Sequence, residues 1–323
     1  MSEKNGQRLA SLSLDLDNQW SYMKTHGDKG WTEYPTYLDW AVPRVLEFLD
    51  RRKLKISFFI VGRDAIDRRN GSALCAIAEG GHEIGNHSFN HEPWLHLYTH
   101  VELDQELEKA EEAIEAATGV CPRAFRGPGF SLSAATLQVL AARGYQYDAT
   151  VFPNVLNPLA RAYFFATSSL TDEEKEQRKE LFGTWRDALR PVSPFNWRVG
   201  ESVIREIPVT TMPFFKTPIH LSYVLYAARF SRRLAIAYFQ FGIAMCRVSG
   251  VTPSILLHPL DFIGGDDVGD LAFFPGMDLE WQYKKDVIHE VLDILEKWYS
   301  VTTVGEHLSH FTNELPTYEF KIS

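Results

Sequence analysis

Short apolar runs alternate with segments of helical period through the first half of this chain, and that alternation restricts the fold more than any other feature. In SLSLDLD the apolar residues Leu12, Leu14 and Leu16 recur at every second position, as on a strand. Ile56 to Val61 (ISFFIV) is a second apolar run. Between them Leu38–Arg52 has helical periodicity, with Ala41, Val45, Leu46 and Leu49 on one side and a basic end suited to the helix dipole. A helix around Ala73–Glu79 precedes Gly80-Gly81. Thr99–Ala117 is amphipathic, with Leu103, Leu107, Ala110 and Ile114 as its stripe and Gly119 as its stop. Pro122–Arg126 reads as a strand, Ser133–Arg143 as a helix ended by Gly144, and Tyr145–Asp148 as a strand. Repeated βα units with apolar strands imply an α/β fold with a mainly parallel sheet or barrel.

The remainder is less regular. Trp20–Tyr37 reads as an aromatic loop. Asn154–Trp197 mixes proline, aromatic and charged residues around a polar helix near Asp172–Leu189, and is expected to cover or border a site. Val203–Val209 and Ser254–His258 are strand-like, Asp286–Tyr299 is an amphipathic helix, and Val301–Val304 is a strand. Ile219–Cys246 is rich in Leu, Ala, Tyr and Phe but is interrupted by His220, Arg229, Arg232 and Arg233, so it does not cross a bilayer. A packed helix or helical hairpin is expected there; an interfacial helix whose arginines meet phosphate head groups is the alternative. With no internal repeat, one domain over 1–323 is expected, with insertions around 154–200 and 210–250.

The 323 residues are 45% hydrophobic, enough for a sizeable core. A net charge of −9 and a pI near 5.7 argue against a nucleic-acid partner. Cys75, Cys121 and Cys246 are odd in number and widely spaced, as reduced thiols of a cytosolic protein would be. The polar start MSEKNGQRLASLSLDLD is not expected to be a signal peptide. A cytoplasmic protein is expected, with peripheral membrane contact through 219–246 as the alternative.

Against this frame, two clusters carry chemistry. Asp15 and Asp17, two apart on a strand, direct their carboxylates to the same side. His87 and His91 in HEIGNHSFNH, four apart, would share a face of a helical turn, just after a short segment where a strand end opens into a loop. One carboxylate with two imidazoles makes a facial set for a divalent transition metal with open positions, which leaves the second carboxylate free as a base. The pattern points to a metal-dependent hydrolase.

Five segments in order, LDLDN (14–18), HSFNH (87–91), RGPGFS (126–131), GYQYD (144–148) and ILLHP (255–259), resemble the motifs of the polysaccharide deacetylases, the NodB-homology or carbohydrate esterase family 4 proteins. The resemblance implies a distorted single-domain β/α barrel and metal-dependent removal of an N-acyl, sometimes O-acyl, group from a sugar. It also implies residue roles: Asp15 the base, Asp17 a metal ligand with His87 and His91, Arg126 the residue holding the base, Asp148 an acidic position of the fourth motif, and His258 the acid that protonates the leaving amine. Leu16 separates aspartates that are adjacent in many members, and Gly129 precedes Phe130 where an aromatic-glycine order is commoner. Zinc is the expected ion for this ligand set, with cobalt, nickel, manganese and iron as alternatives.

Asp261 follows His258 closely enough to orient it; His82, His96 and His100 are read as structural; Trp20 and Trp94 would line a sugar site or belong to the core. The expected substrate is an acetylated or formylated amino sugar or glycoconjugate, small or lipid-linked. A hydrolase of linear or cyclic non-sugar amides and a non-catalytic carbohydrate-binding descendant are the alternatives. REIPVTTMPF (205–214) and HPLDF (258–262) are similar to segments of branches linked to exopolysaccharide production and to a lipid-linked aminoarabinose deformylase.

Overall fold

The structure, a computed structural model, describes residues 3–4, 7–168, 170–177, 185–311 and 314–320. Its strands are β1 (Glu3–Lys4), β2 (Gln7–Leu16), β3 (Ser57–Ile60), β4 (Glu83–Asn86), β5 (Ala124–Phe125), β6 (Tyr147–Asp148), β7 (Phe195–Val199), β8 (Ser202–Glu206), β9 (Ser254–Leu257), β10 (Tyr299–Thr302) and β11 (Thr317–Glu319). The expected α/β architecture around a mainly parallel sheet is what forms. β3, β4, β5, β6 and β8 follow β2 side by side, each pair parallel, and β9 and β10 also run parallel to β2. Only β1 with β2 and the β7–β8 hairpin are antiparallel among the described strands.

β2 is buried on both faces, which explains its mixed composition. Leu12, Leu14 and Leu16 enter the main apolar core with α2 (Leu38–Arg52). Ser11, Ser13 and Asp15 face the other way and are buried too, Ser11 bonded to His307 and both Ser13 and Asp15 to Arg126. The curled sheet does not close through a continuous ladder. After β8, Thr210 N–H donates to Ser254 O (2.9 Å) and Ser254 N–H donates to Thr210 Oγ1 (2.8 Å). Pro208, two residues beyond β8, has no N–H to donate to a ladder.

Helices fall where capping chemistry favours them. α5 (His100–Thr118) starts at a capping box in which Thr99 and Glu102 satisfy each other's backbone amides, and ends at Gly119 with φ 73°. α3 (Gly62–Ala65) is a single turn, and α4 (Gly71–Glu79) and α6 (Ala134–Ala142) lie close to expectation. The expected aromatic loop is corrected at its start: Gln19–His26 is helix α1, because Asn18 Oδ1 accepts the Gln19 N–H and Gly27 at φ 95° closes the other end. Aromatic side chains pack on both sides of that short helix, so it shows no apolar stripe.

In the irregular stretch, α7 (Asn157–Thr167) and α8 (Asp172–Gln177) form, and a 3-10 turn covers Trp185–Leu189. The rest of the polar helix expected near Asp172–Leu189, residues 178–184, lies outside the described residues. Ile219–Cys246 becomes a packed pair, α9 (Leu221–Ala228) and α10 (Arg232–Ser249), with Leu221, Val224, Phe239 and Ile243 in the main core beside α11 (Trp281–Trp298). Among the described residues no helix is long and apolar enough to cross a membrane.

Candidate active site

Parallel strands deliver their following loops to one edge of the sheet. Asp15 is the penultimate residue of β2, with Asp17 just beyond its end; His87 follows β4, Arg126 follows β5 and His258 follows β9. The β2–β3 and β2–β9 registers put these ends at a common level. Asp15, Asp17, His87, His91 and His258 all line one cavity of about 440 Å³.

One ligand atom each from Asp17, His87 and His91 converge within 4.8 Å of one another. Asp17 Oδ1 lies 3.4 Å from His87 Nε2 and 2.9 Å from His91 Nε2, and all three residues are buried. His87 donates its Nδ1–H to Arg126 O (2.7 Å), which leaves the Nε2 lone pair facing Asp17. Burial pushes the Asp17 carboxyl up, but His91 and His87 outweigh it and hold the group well below the usual carboxylate range. Asp17 Oδ1 is buried without a hydrogen bond of good geometry, and this convergence of one carboxylate with two imidazoles is the donor set that a divalent ion fits.

The expected helical turn at HSFNH is not what brings the histidines together. Residues 87–91 form a loop in which Ser88 (φ 62°) and His91 (φ 52°) adopt left-handed backbone. Buried Glu106 of α5 stabilises it, accepting from Phe89 N–H (3.0 Å), Asn90 N–H (2.6 Å) and Asn90 Nδ2 (2.8 Å), while Ser88 Oγ accepts His91 N–H (3.0 Å). The i,i+4 spacing survives, but the geometry comes from a carboxylate 15 residues or more away in sequence.

Asp15 is oriented differently from Asp17. The fully buried Arg126 donates from one terminal nitrogen to Asp15 Oδ1 (3.0 Å) and Ser13 Oγ (2.9 Å), and from Nε to Ala149 O (2.9 Å). Its guanidinium carbon sits 4.5 Å from the Phe59 ring centroid. Asp15 Oδ2 is left 3.9 Å from His87 Nε2. Gly127 is required in this turn: a Cβ there would meet Ser131 O at 2.3 Å. In RGPGFS both Gly129 and Phe130 take positive φ, and Phe130 N–H is used inside the turn, donating to Gly127 O (3.1 Å).

His258 is held by a chain of contacts. Ser222 O–H donates to Asp261 Oδ1 (2.8 Å), so Ser222 Oγ is the acceptor for His258 Nδ1–H (3.1 Å); Asp261 Oδ2 accepts His258 N–H (2.8 Å). His258 Nε2 is thereby left for other partners. Burial pushes the Asp261 carboxyl up, opposed by His258.

Asp148 is not brought into the cavity. It is fully buried, accepts from Thr150 Oγ1 (2.5 Å) and lies against Glu206, whose carboxyl accepts from Val151 N–H and Trp197 Nε1–H. Its position at the end of β6, facing β8, accounts for this. Trp20 and Trp94 do not line the cavity either: Trp20 donates Nε1–H to Asp64 (2.8 Å) and packs edge-on to His91. The walls are Tyr22, Phe130, Phe152, Tyr163, Tyr223, Tyr226 and Phe274 instead. Among residues to which the sequence assigned no role in the site, His220 and Ser222 line the cavity from the start of α9, and Asp64 holds Asn18 (2.7 Å) beside Asp17. A histidine inside an apolar helix segment was the only signal available for the first.

Residues 28–147 match the family model for polysaccharide deacetylase; Asp15, Asp17 and His258 lie outside that span. The uncharacterized protein YlxY of Bacillus subtilis is 32% identical over 123 residues, 37% of this chain and 38% of that one. The peptidoglycan deacetylase of Helicobacter pylori is 27% identical over 118 residues, 36% and 39% of the two chains. The matches thus span under two-fifths of these relatives. A Mycobacterium smegmatis protein assigned as a polysaccharide deacetylase superposes with a TM-score of 0.60 at 20% identity over 96% of this chain and 92% of that one, which shows a shared fold. Residues 28–147 are thus similar to the polysaccharide deacetylase family, and the chain shares the fold of the Mycobacterium smegmatis protein.

Proposed function

We propose that this protein is a metal-dependent hydrolase that removes an acetyl or formyl group from the nitrogen of an amino sugar. The observation that carries the reading is the presence, in one cavity, of the Asp17–His87–His91 cluster together with Asp15 and His258. A divalent ion held by Asp17, His87 and His91 would supply Lewis acidity, polarising the acyl carbonyl and acidifying water from a pKa of about 15.7 towards roughly 7.

Asp15 is the base in this reading and Asp17 the ligand. What supports the division is orientation: Asp15 Oδ1 is taken by Arg126, leaving Oδ2 to accept the proton of attacking water, while Asp17 Oδ1 faces both imidazoles. Arg126 fixes the orientation of the Asp15 carboxylate. His258 Nε2 gives its proton to the departing nitrogen, with Nδ1–H anchored through Ser222 to Asp261. The peptidoglycan deacetylase activity named for a relative supports an N-acyl sugar. The wide aromatic walls suit sugar faces better than a closed planar slot would.

The substrate is a small or lipid-carried precursor met in the cytoplasm, a reading supported by Cys75, Cys121 and Cys246 remaining free thiols. The test is elemental analysis of wild type and His87→Ala, followed by hydrolysis of N-acetyl and N-formyl sugars. Near-stoichiometric metal that is lost in the folded variant, with release of acyl group, is expected. Wild type that stays metal-free when supplied with zinc, cobalt or nickel would sink the proposal.

A further inference from the structure

Between Ile207 and Leu260 the chain has no acidic residue but carries Lys216, Arg229, Arg232, Arg233 and Arg247, in a protein whose net charge is −9. The same stretch exposes large apolar side chains. Leu234, Phe241 and Val248 recur every seven residues on α10, which puts them in one stripe, and they are 72%, 53% and 89% exposed. Phe214 and Phe215, 77% and 58% exposed, sit at the tip of a hairpin pinned by the Thr211–Pro218 bridge. Tyr238, four residues after Leu234 and three before Phe241, donates to Pro218 O (2.8 Å), so the hairpin flanks the stripe.

This apolar surface is continuous with the mouth of the cavity. Exposed Phe230, at the end of α9, makes an edge contact with Tyr226, a cavity wall residue. On the hairpin side Val155 N–H donates to Lys216 O, next to Leu156 and the exposed Leu159 of α7, which also line the cavity. Arg232 pairs with Glu290 and Asp286 of α11 and Arg229 with Asp278, which leaves Arg233 and Arg247 as the cations beside the stripe. A helix that is itself acid-free, with Leu and Phe outward, and too polar to span a bilayer has the make-up of a helix that lies in a lipid interface.

We propose that this face, made of α10, the 211–218 hairpin and Phe230, docks on an anionic lipid surface and turns the cavity mouth towards it. The phenylalanines and Leu234 enter the head-group boundary and Arg233 and Arg247 meet lipid phosphates. The docking stands on the surface alone; its consequence, that the acyl sugar is presented on a lipid carrier, rests on the hydrolase reading given above.

The test is sedimentation of the full chain with phosphatidylcholine vesicles with and without phosphatidylglycerol. Wild type is expected to pellet with the anionic vesicles and to be released by salt. Phe214→Ser/Phe215→Ser and Leu234→Ser/Phe241→Ser should each weaken binding by roughly tenfold or more, and Arg233→Gln by about fivefold. All three variants alter exposed positions, so their thermal unfolding and their hydrolysis of a water-soluble N-acyl sugar should stay near wild type. Failure of wild type to bind vesicles, or binding by the variants equal to wild type, overturns the docking. So does sedimentation velocity showing a dimer that these substitutions dissociate, since the face would then belong to a second copy. Absence of hydrolysis of every N-acyl sugar, with vesicle binding intact, would instead overturn the proposed function.

Discussion

Glu106→Ala touches no candidate ligand, yet it should weaken metal binding. Glu106 accepts three hydrogen bonds from the loop that carries His87 and His91. Bonds to a charged acceptor contribute about 1.5–3 kcal/mol each. Three of them set a ceiling that water lowers when it reaches the freed amides, so a loss of about 2–4 kcal/mol in folding stability is expected by urea denaturation. The loop also holds Ser88 and His91 at positive φ, each costing on the order of 1 kcal/mol or more. Without Glu106 that strain is unopposed, and the conformer with both imidazoles in place falls to roughly one molecule in 10 to 100. Apparent metal affinity should fall by the same factor, about 10- to 100-fold, as outer partners of metal ligands typically do when removed. Competition against a chelator of known affinity measures this directly. Wild-type metal affinity in folded Glu106→Ala would refute the claim that this carboxylate shapes the site; Glu106→Gln, which keeps an acceptor oxygen, should fall between the two.

Arg126→Met leaves Asp15 buried without its cation and should cost about 3–5 kcal/mol in urea unfolding, with activity lost in the protein that remains folded. Asp261→Asn and Ser222→Ala should lower kcat on N-acyl sugars by about 10²-fold and tenfold respectively with KM little changed, because they free the His258 ring without touching the cavity's aromatic walls; an unchanged kcat in both would remove the relay from the mechanism. The Asp64 carboxyl, pushed up to about 7 by burial, binds its proton more tightly in the folded than in the unfolded chain. Its contribution to stability is therefore complete below about pH 4 and is lost as pH rises to about 7, at up to about 1.4 kcal/mol per pH unit. Asp64→Asn should flatten that slope in denaturation measured from pH 4 to 8, and an unaltered slope would contradict the assignment.

Much of the frame was legible before any coordinates. Helix α2 begins and ends where its apolar period does, and α5 runs close to the span its apolar stripe and the Gly119 stop indicate. Such signals are local: they depend on which face is apolar and which side chain can reach a neighbouring amide. Helix α1 was hidden because its aromatic residues pack on several sides at once, towards Trp31, His91 and Phe274. Asp148 was misplaced for a similar reason, since a strand-end carboxylate gives no local sign of whether it opens to a cavity or, as here, meets Glu206 across the sheet.

By itself, then, the sequence determined the alternating elements, the chemistry of the residues at the strand ends and the ligand spacing of His87 and His91. Tertiary structure decided which aspartate is clamped and which faces the imidazoles, because the Arg126–Asp15 contact joins residues 111 apart. It decided the loop conformation at HSFNH through Glu106, the anchoring of His258 through Ser222, and the outward turn of the α10 stripe. Periodicity is set by backbone geometry within a few residues, whereas the orientation of a buried charge is set by whichever distant group can offset its desolvation.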